Sequence, residues 1–238
     1  MNPRPVASSV VFWDFDGTLA RRGDLWAGAL LEALTVVDSE SGVTLGRLRQ
    51  GLSSGFPWHT PERVVEAPTP DEWWQSLRPT LLSAYLAAGV PSPVATSAAD
   101  RVRAAFYRRD AWELIDGAID ALATTRSAGY RNVILSNHGP ELPQLVEELG
   151  LAELVDLTIT SAAVGAEKPN PLIFEFALAT VGVHAHDDVW MVGDNPVADV
   201  EGAERVGIRA ILADGAYPDS TGRTVLAAAR SISTATER

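Results

Sequence analysis

Residues 10–19 read Val10-Val11-Phe12-Trp13-Asp14-Phe15-Asp16-Gly17-Thr18-Leu19. Four consecutive apolar residues with no polar alternation fit a short strand buried on both faces, as inside a parallel sheet. The run stops at Asp14, and Gly17 brings turn chemistry. In an extended segment residues i and i+2 point the same way, so Asp14 and Asp16 offer two carboxylates to one place. One can attack as a nucleophile while the other gives and takes a proton. Gly17 lets the backbone approach a ligand closely, and the amides that follow can form an anion-binding nest. Standing alone, an Asp-x-Asp-Gly also suits an acidic surface loop, so the rest of the chain decides between the two.

Downstream, strand and helix patterns alternate. Residues 133–135 read as a strand ending at Ser136-Asn137, and 139–149 as a helix closed by Gly150. Residues 154–159 read as a strand. Asn170 is the expected N-cap of a helix with Pro171 at its first position, running to about Val181. Residues 189–192 read as a strand ending at Gly193-Asp194, 197–206 as a helix stopped by Gly207, 208–212 as a strand and 222–230 as a helix. Alternating strands and helices imply parallel crossovers and an α/β, doubly wound parallel sheet.

The first half breaks this rhythm. About 115 residues separate Thr18 from the next clear strand, too many for a crossover or a structureless loop. Within them, residues 26–37, 71–88 and 97–109 place apolar side chains at helical spacing, and Pro79 is expected to divide the middle segment. Thr69, Pro70 and Asp71, supported by Glu72, read as a helix start. The stretch therefore reads as an inserted α-helical domain over 21–111, with a core of 1–20 and 112–238. The connections are expected near 20–24 and 110–116.

Composition narrows the function. The 238 residues suit one large domain, or a core carrying a smaller insertion. A net charge of −12 without a basic stripe makes nucleic acid or an anionic membrane a poor partner. No apolar run is long enough to span a bilayer, and residues 1–9 lack the apolar core of a secretory signal. With no cysteine, thiolate catalysis, disulfides and cysteine-ligated metal are excluded. A soluble, cytoplasmic protein is expected. Lys168 is the only lysine; every other position among the 19 Lys and Arg is arginine. A position that takes lysine where the chain otherwise takes arginine suits a compact ammonium rather than a planar fork.

Four groups fall at strand ends or helix starts: Asp14 with Asp16, Ser136, Lys168, and Asp194 with Asp199. In open parallel sheets, ligands bind outside the carboxyl ends of the strands, where such distant residues can meet. Asp14 and Asp194 offer the hard oxygens that magnesium takes, and a bound cation would relieve repulsion of an anionic substrate. Ser136 can donate to a phosphate oxygen, and Lys168 can stabilise charge during transfer.

Asp14-Phe-Asp16-Gly17-Thr18-Leu19, Ser136-Asn137, Lys168-Pro169 and Gly193-Asp194-Asn195-Pro-Val-Ala-Asp199 resemble the four ordered motifs of the haloacid dehalogenase superfamily. The insertion resembles the cap of that superfamily's first cap class. The resemblance implies a Rossmann-like core, Mg2+ and attack by Asp14. It implies that Asp16 is general acid and base and gives its carbonyl to the metal, with Asp194 a further ligand. Gly17, Thr18, Ser136, Asn137 and Lys168 would contact the phosphoryl group. Asp199 would orient the metal site or pair with Lys168. Apart from the resemblance, His138 follows the Ser-Asn pair, which sets it near the site in a supporting or substrate-contacting role. Dehalogenases of this superfamily lack the second acid of the first motif, so Asp16 favours phosphoryl chemistry. Phosphonate cleavage uses a cap lysine, which is missing here. The expected substrate is a small phosphorylated metabolite, and the chain is expected as a monomer or homodimer. A phosphomutase carries the same four motifs and stays open as the alternative, as does a catalytically idle binding protein.

Substrate selection is harder to read. Trp26, Phe56, Trp58, Trp73, Trp74, Tyr85, Phe106 and Tyr107 are expected mainly to form the insertion's own core, with some lining a pocket as the alternative. Arg21 and Arg22 read as a solvated hinge, His59 as a surface residue, and His184 and His186 as exposed.

Overall fold

The computed structural model describes residues 9–65, 69–215 and 222–235. The expectation about a secretory signal rests on residues 1–9, of which 1–8 lie outside that range. Strand β1 (Val10–Trp13) is fully buried and sits at the centre of a five-stranded parallel sheet. Its neighbours are β4 (Arg131–Ser136) and β6 (Val189–Gly193), with β5 (Leu157–Thr160) and β7 (Arg209–Leu212) at the edges. The chain builds outward from β1 to β4 and β5, then crosses to β6 and β7. The direction of winding therefore reverses at β1, and such a reversal opens a crevice at the carboxyl ends.

The burial of β1 on both faces follows from its two packing partners. Val11 and Trp13 face helices α6 (Ala118–Ser127) and α11 (Val225–Ala235). Val10 and Phe12 face α9 (Pro171–Val181). The other core helices are α7 (Leu142–Glu148), α8 (Ser161–Val164) and α10 (Gly202–Arg205). Helix α9 begins as its sequence predicts: the Asn170 side chain accepts from the Leu172 amide, Pro171 follows, and Gly182 closes it. Residues 197–206 are not one α-helix. A π-helical turn over Pro196–Glu201 precedes α10. Strand β5 starts three residues later than expected because Leu154 and Val155 turn back to Leu151. Helix α7 begins at Leu142 rather than 139, and α11 at Val225 rather than 222.

Between β1 and α6, the described residues form two short strands and five α-helices. Strands β2 (Ala20–Arg22) and β3 (Trp112–Leu114) form an antiparallel ribbon that joins the insertion to the sheet. Three-residue strands carry too little periodicity to be read from sequence. The helices are α1 (Leu25–Val37), α2 (Leu45–Gln50), α3 (Pro70–Ala87), α4 (Ser92–Ala99) and α5 (Val102–Phe106). Helix α3 carries the expected capping box, Thr69 with Glu72. Pro79 does not divide it. An interior proline costs about 3 kcal/mol, but Pro79 lies on the solvent face, while Trp73, Trp74, Leu77, Leu81, Ala84 and Tyr85 are buried on the other. The segment 97–109 is two helices, broken after Ala99.

Arg21 and Arg22 differ sharply. Arg21 is exposed and meets Glu113 across the ribbon. Arg22 is buried, contrary to the expected solvated hinge. It pairs with Glu32 at 2.9 Å and donates to the carbonyls of Gly23, Leu25 and Ala105. It thus ties the ribbon to α1 and α5. Trp74 and Arg103 of the insertion both reach Glu141 of the core. One apolar cluster runs without a break from Val11 and Trp13 into the insertion.

Candidate active site

Asp14 follows β1 directly, and its amide donates to Val192 of β6 at 2.9 Å. This fixes the first residue beyond the strand between two neighbours. Its carboxylate is almost fully buried. Oδ1 accepts from Ser136 Oγ at 3.0 Å and from Lys168 Nζ at 2.8 Å. Lys168 Nζ also donates to Asp199 Oδ1 at 2.5 Å, while Asp199 Oδ2 accepts from the Asn195 amide. Three segments distant in sequence therefore meet on Asp14. Gly193 makes room for this: a Cβ there would overlap the Asp199 carboxyl group.

Electrostatics follow from burial. Burial alone would lower the Lys168 ammonium, but Asp14 and Asp199 beside it reverse this and hold it above its ordinary value. Burial, then repulsion from Asp14 and Asp194, raises Asp16 well above the carboxylate range, with Lys168 opposing. Carboxylate oxygens of Asp14, Asp194 and Asp199 lie within 4.8 Å of one another, all buried. One ammonium does not neutralise three buried carboxylates, so the donor set fits a hard divalent cation. Asp199 is held by Lys168 and the Asn195 amide, and Asp14 and Asp194 complete the cluster beside it.

Several residues expected at the phosphate also bond within the protein. Asn137 accepts from the Lys168 amide at 2.6 Å and donates to the Lys168 carbonyl at 2.9 Å. Its side chain clamps the lysine's backbone, and the residue lines the crevice. Thr18 is buried behind Asp14, and its Oγ1 sits 3.4 Å from Oδ2. Gly17 takes φ 87° and allows the tight turn. The amides of Thr18, Leu19 and Ala20 donate to Phe15 O, and that of Gly17 to Ala20 O.

His138 lies where its place after Ser136-Asn137 suggests. It is buried among Phe15, Phe106 and Trp112, with Nδ1 at 2.9 Å from the Tyr107 hydroxyl. The crevice of about 460 Å³ is lined by Asp14, Asp16, Ser136, Lys168 and Asp194 below, and by Leu25, Trp26, Trp58 and Pro61 above. Trp26 serves two ends, stacking on Phe106 at 4.2 Å while lining the crevice. Leu25 and Pro61 gave no sequence signal. Asp24 and Leu25 take left-handed backbone (φ 57° and 40°), which costs a non-glycine residue energy and turns α1 over the site.

A family profile described as haloacid dehalogenase-like hydrolase matches residues 9–207. The chain belongs to the haloacid dehalogenase-like hydrolases. Among relatives, the mouse haloacid dehalogenase-like hydrolase domain-containing protein 3 is 34% identical over 216 residues, covering 87% of this chain and 82% of that protein. A phosphoserine phosphatase of Thermus thermophilus is 40% identical over 114 residues, 46% of this chain and 45% of its own length. In fold, a HAD phosphatase from Thermococcus onnurineus superposes with a TM-score of 0.61 at 21% identity, covering 94% of this chain and 97% of that one. This haloacid dehalogenase-like hydrolase thus has phosphatase-named relatives, a Rossmann-like sheet and a buried acidic cluster. None of its described helices is long and apolar enough to cross a membrane.

Proposed function

We propose that this hydrolase is a magnesium-dependent phosphatase that cleaves a small phosphomonoester through an aspartyl-phosphate on Asp14. The observation that carries this reading is the convergence of Ser136 and Lys168 on one oxygen of a buried carboxylate, with Asp199 behind the lysine. Asp14 and Asp194, with the Asp16 carbonyl, would hold the magnesium ion, whose positive charge offsets that of the phosphoryl oxygens.

In the first step an Asp14 oxygen forms a bond to phosphorus and the ester P–O bond breaks. The leaving oxygen takes its proton from Asp16, whose raised affinity for protons suits the task. Ser136 and Lys168 hold the transferring oxygens. In the second step water attacks phosphorus, Asp16 takes the water's proton, and the Asp14 carboxylate is restored. Asp16 also supports phosphoryl transfer over dehalogenation, which needs no acid for its leaving group. The insertion over 21–111, hinged on the ribbon, serves as a cap that excludes bulk water and selects the leaving group.

The test is a panel of phosphorylated metabolites assayed with magnesium on the wild type and Asp14→Asn. Phosphate release by the wild type is expected, with sensitivity to chelator and near-complete loss in the variant. Equal turnover by both proteins would remove Asp14 as nucleophile. Transfer to a sugar hydroxyl instead of water would make the protein a mutase.

A further inference from the structure

A second cavity, of about 540 Å³, lies beside the crevice. Its walls come from the 54–65 loop, helix α3 and the core segment 161–167. Loop 56–61 separates the two spaces: Trp58 and Pro61 line the crevice, while Pro57, His59 and Thr60 line the cavity. The C-terminal part of the 54–65 loop is tied to the core at two points. Asn170 Nδ2 donates to Pro61 O at 3.0 Å, and the Val65 amide donates to Gly165 O at 2.9 Å.

The cavity is mostly apolar, with the rings of Phe56 and Trp73 in its wall. Two charged residues line it: Arg63, which is exposed, and Glu167. Glu167 belongs to the wall, is 5% exposed, and its Oε2 has no hydrogen-bond partner. A buried acceptor without a donor is costly, so a ligand N–H would improve it. Lys168, next in the chain, does not serve: its ammonium is turned to Asp14 and Asp199. A carboxyl group set among aromatic faces is the combination that holds an organic ammonium.

We propose that this cavity is a ligand site, separate from the catalytic crevice, for a small ammonium compound with an aromatic or branched apolar body. The ammonium donates to Glu167 and the body packs on Phe56, Trp73 and Leu77. A molecule seated there bears on the loop whose other face covers the crevice.

The probe is 2-phenylethylammonium, titrated calorimetrically into the wild type and Glu167→Gln, with neutral 2-phenylethanol as its control. The titrations are run at pH 8, where Glu167 is ionised, and glutamine keeps the shape while removing the charge. Saturable binding of the ammonium at millimolar concentration is expected, weaker by about tenfold or more in Glu167→Gln. The alcohol should bind both proteins alike and more weakly. Equal affinity of the ammonium for both proteins would overturn the proposal, as would absence of saturable binding to the wild type. Ser76→Trp, which fills the cavity from α3, should abolish binding while leaving Glu167 in place. Binding that survives it would also overturn the assignment. No turnover enters these readings, so they stand or fall apart from the phosphatase reading.

Discussion

His138 Nε2 faces Asp16 Oδ1 at 3.8 Å, and neither atom has a hydrogen-bond partner. Burial lowers His138 to about 4, so its ring is neutral near pH 7. If the Tyr107 hydroxyl donates to Nδ1, the ring's proton sits on Nε2, directed at Asp16. A side chain of the insertion thereby reaches the acid through one imidazole. His138→Phe keeps the ring's bulk and removes this contact. It should lower kcat for p-nitrophenyl phosphate by about tenfold while the protein stays folded. Tyr107→Phe should move kcat the same way by less. Unchanged kcat in both variants would take His138 out of the site's machinery.

Lys168 stands between two buried carboxylates, so removing it should cost stability as well as turnover. Lys168→Met leaves Asp14 and Asp199 uncompensated, and breaking such a buried pair costs about 3–5 kcal/mol. Urea unfolding of the metal-free protein measures this. Lys168→Arg should not restore turnover, because a planar fork cannot sit where a compact ammonium meets Asp14 at 2.8 Å and Asp199 at 2.5 Å. Full activity in Lys168→Arg would mean that only charge matters at this position.

The sheet was legible because β1 and β6 are continuous apolar runs, and the Asn170-Pro171 helix start because capping chemistry is local. Asp14, Ser136, Lys168 and Asp199 were legible as strand-end and helix-start residues, and they do meet. What stayed hidden depends on distant partners. Asn137 and Thr18 carry the right chemistry for a phosphate, yet one holds the backbone of Lys168 and the other lies behind Asp14. Nothing around Arg22 in the sequence names Glu32 or the Ala105 carbonyl as its partners. Pro79 shows the same limit: its cost is local, while the burial that offsets it comes from α1, α2 and α4.

Glu167 should give stability a pH dependence. Burial pushes its carboxyl up to about 7, against the Ser161 hydroxyl and the Lys168 charge. Between the ordinary glutamate value and about 7, the folded protein keeps a proton that the unfolded chain has released. The folded state therefore binds more protons, and stability falls as pH rises through that window. The full difference amounts to about 3 kcal/mol. Glu167→Gln should flatten the fall, and the gap between the two proteins should widen from pH 5 to pH 8 in urea titrations. Parallel curves would mean that Glu167 ionises normally.

Asp194 offers a test of the metal site that needs no substrate. Asp14, Asp194 and Asp199 crowd their carboxylates within 4.8 Å, and one ammonium serves the cluster. Without a cation this crowding works against folding, since like charges in a buried site repel. Asp194→Asn removes one charge at constant shape, so the metal-free variant should melt higher than the metal-free wild type, by about 1 kcal/mol of stability. Magnesium should reverse the order. It should bind the folded wild type and raise its Tm with concentration, while the variant, lacking one of the two carboxylates proposed to hold the ion, should respond weakly. An equal rise in Tm for both proteins would place the ion away from Asp194, and a lower Tm for the metal-free variant would mean that Asp194 has a structural bond worth more than the repulsion it causes.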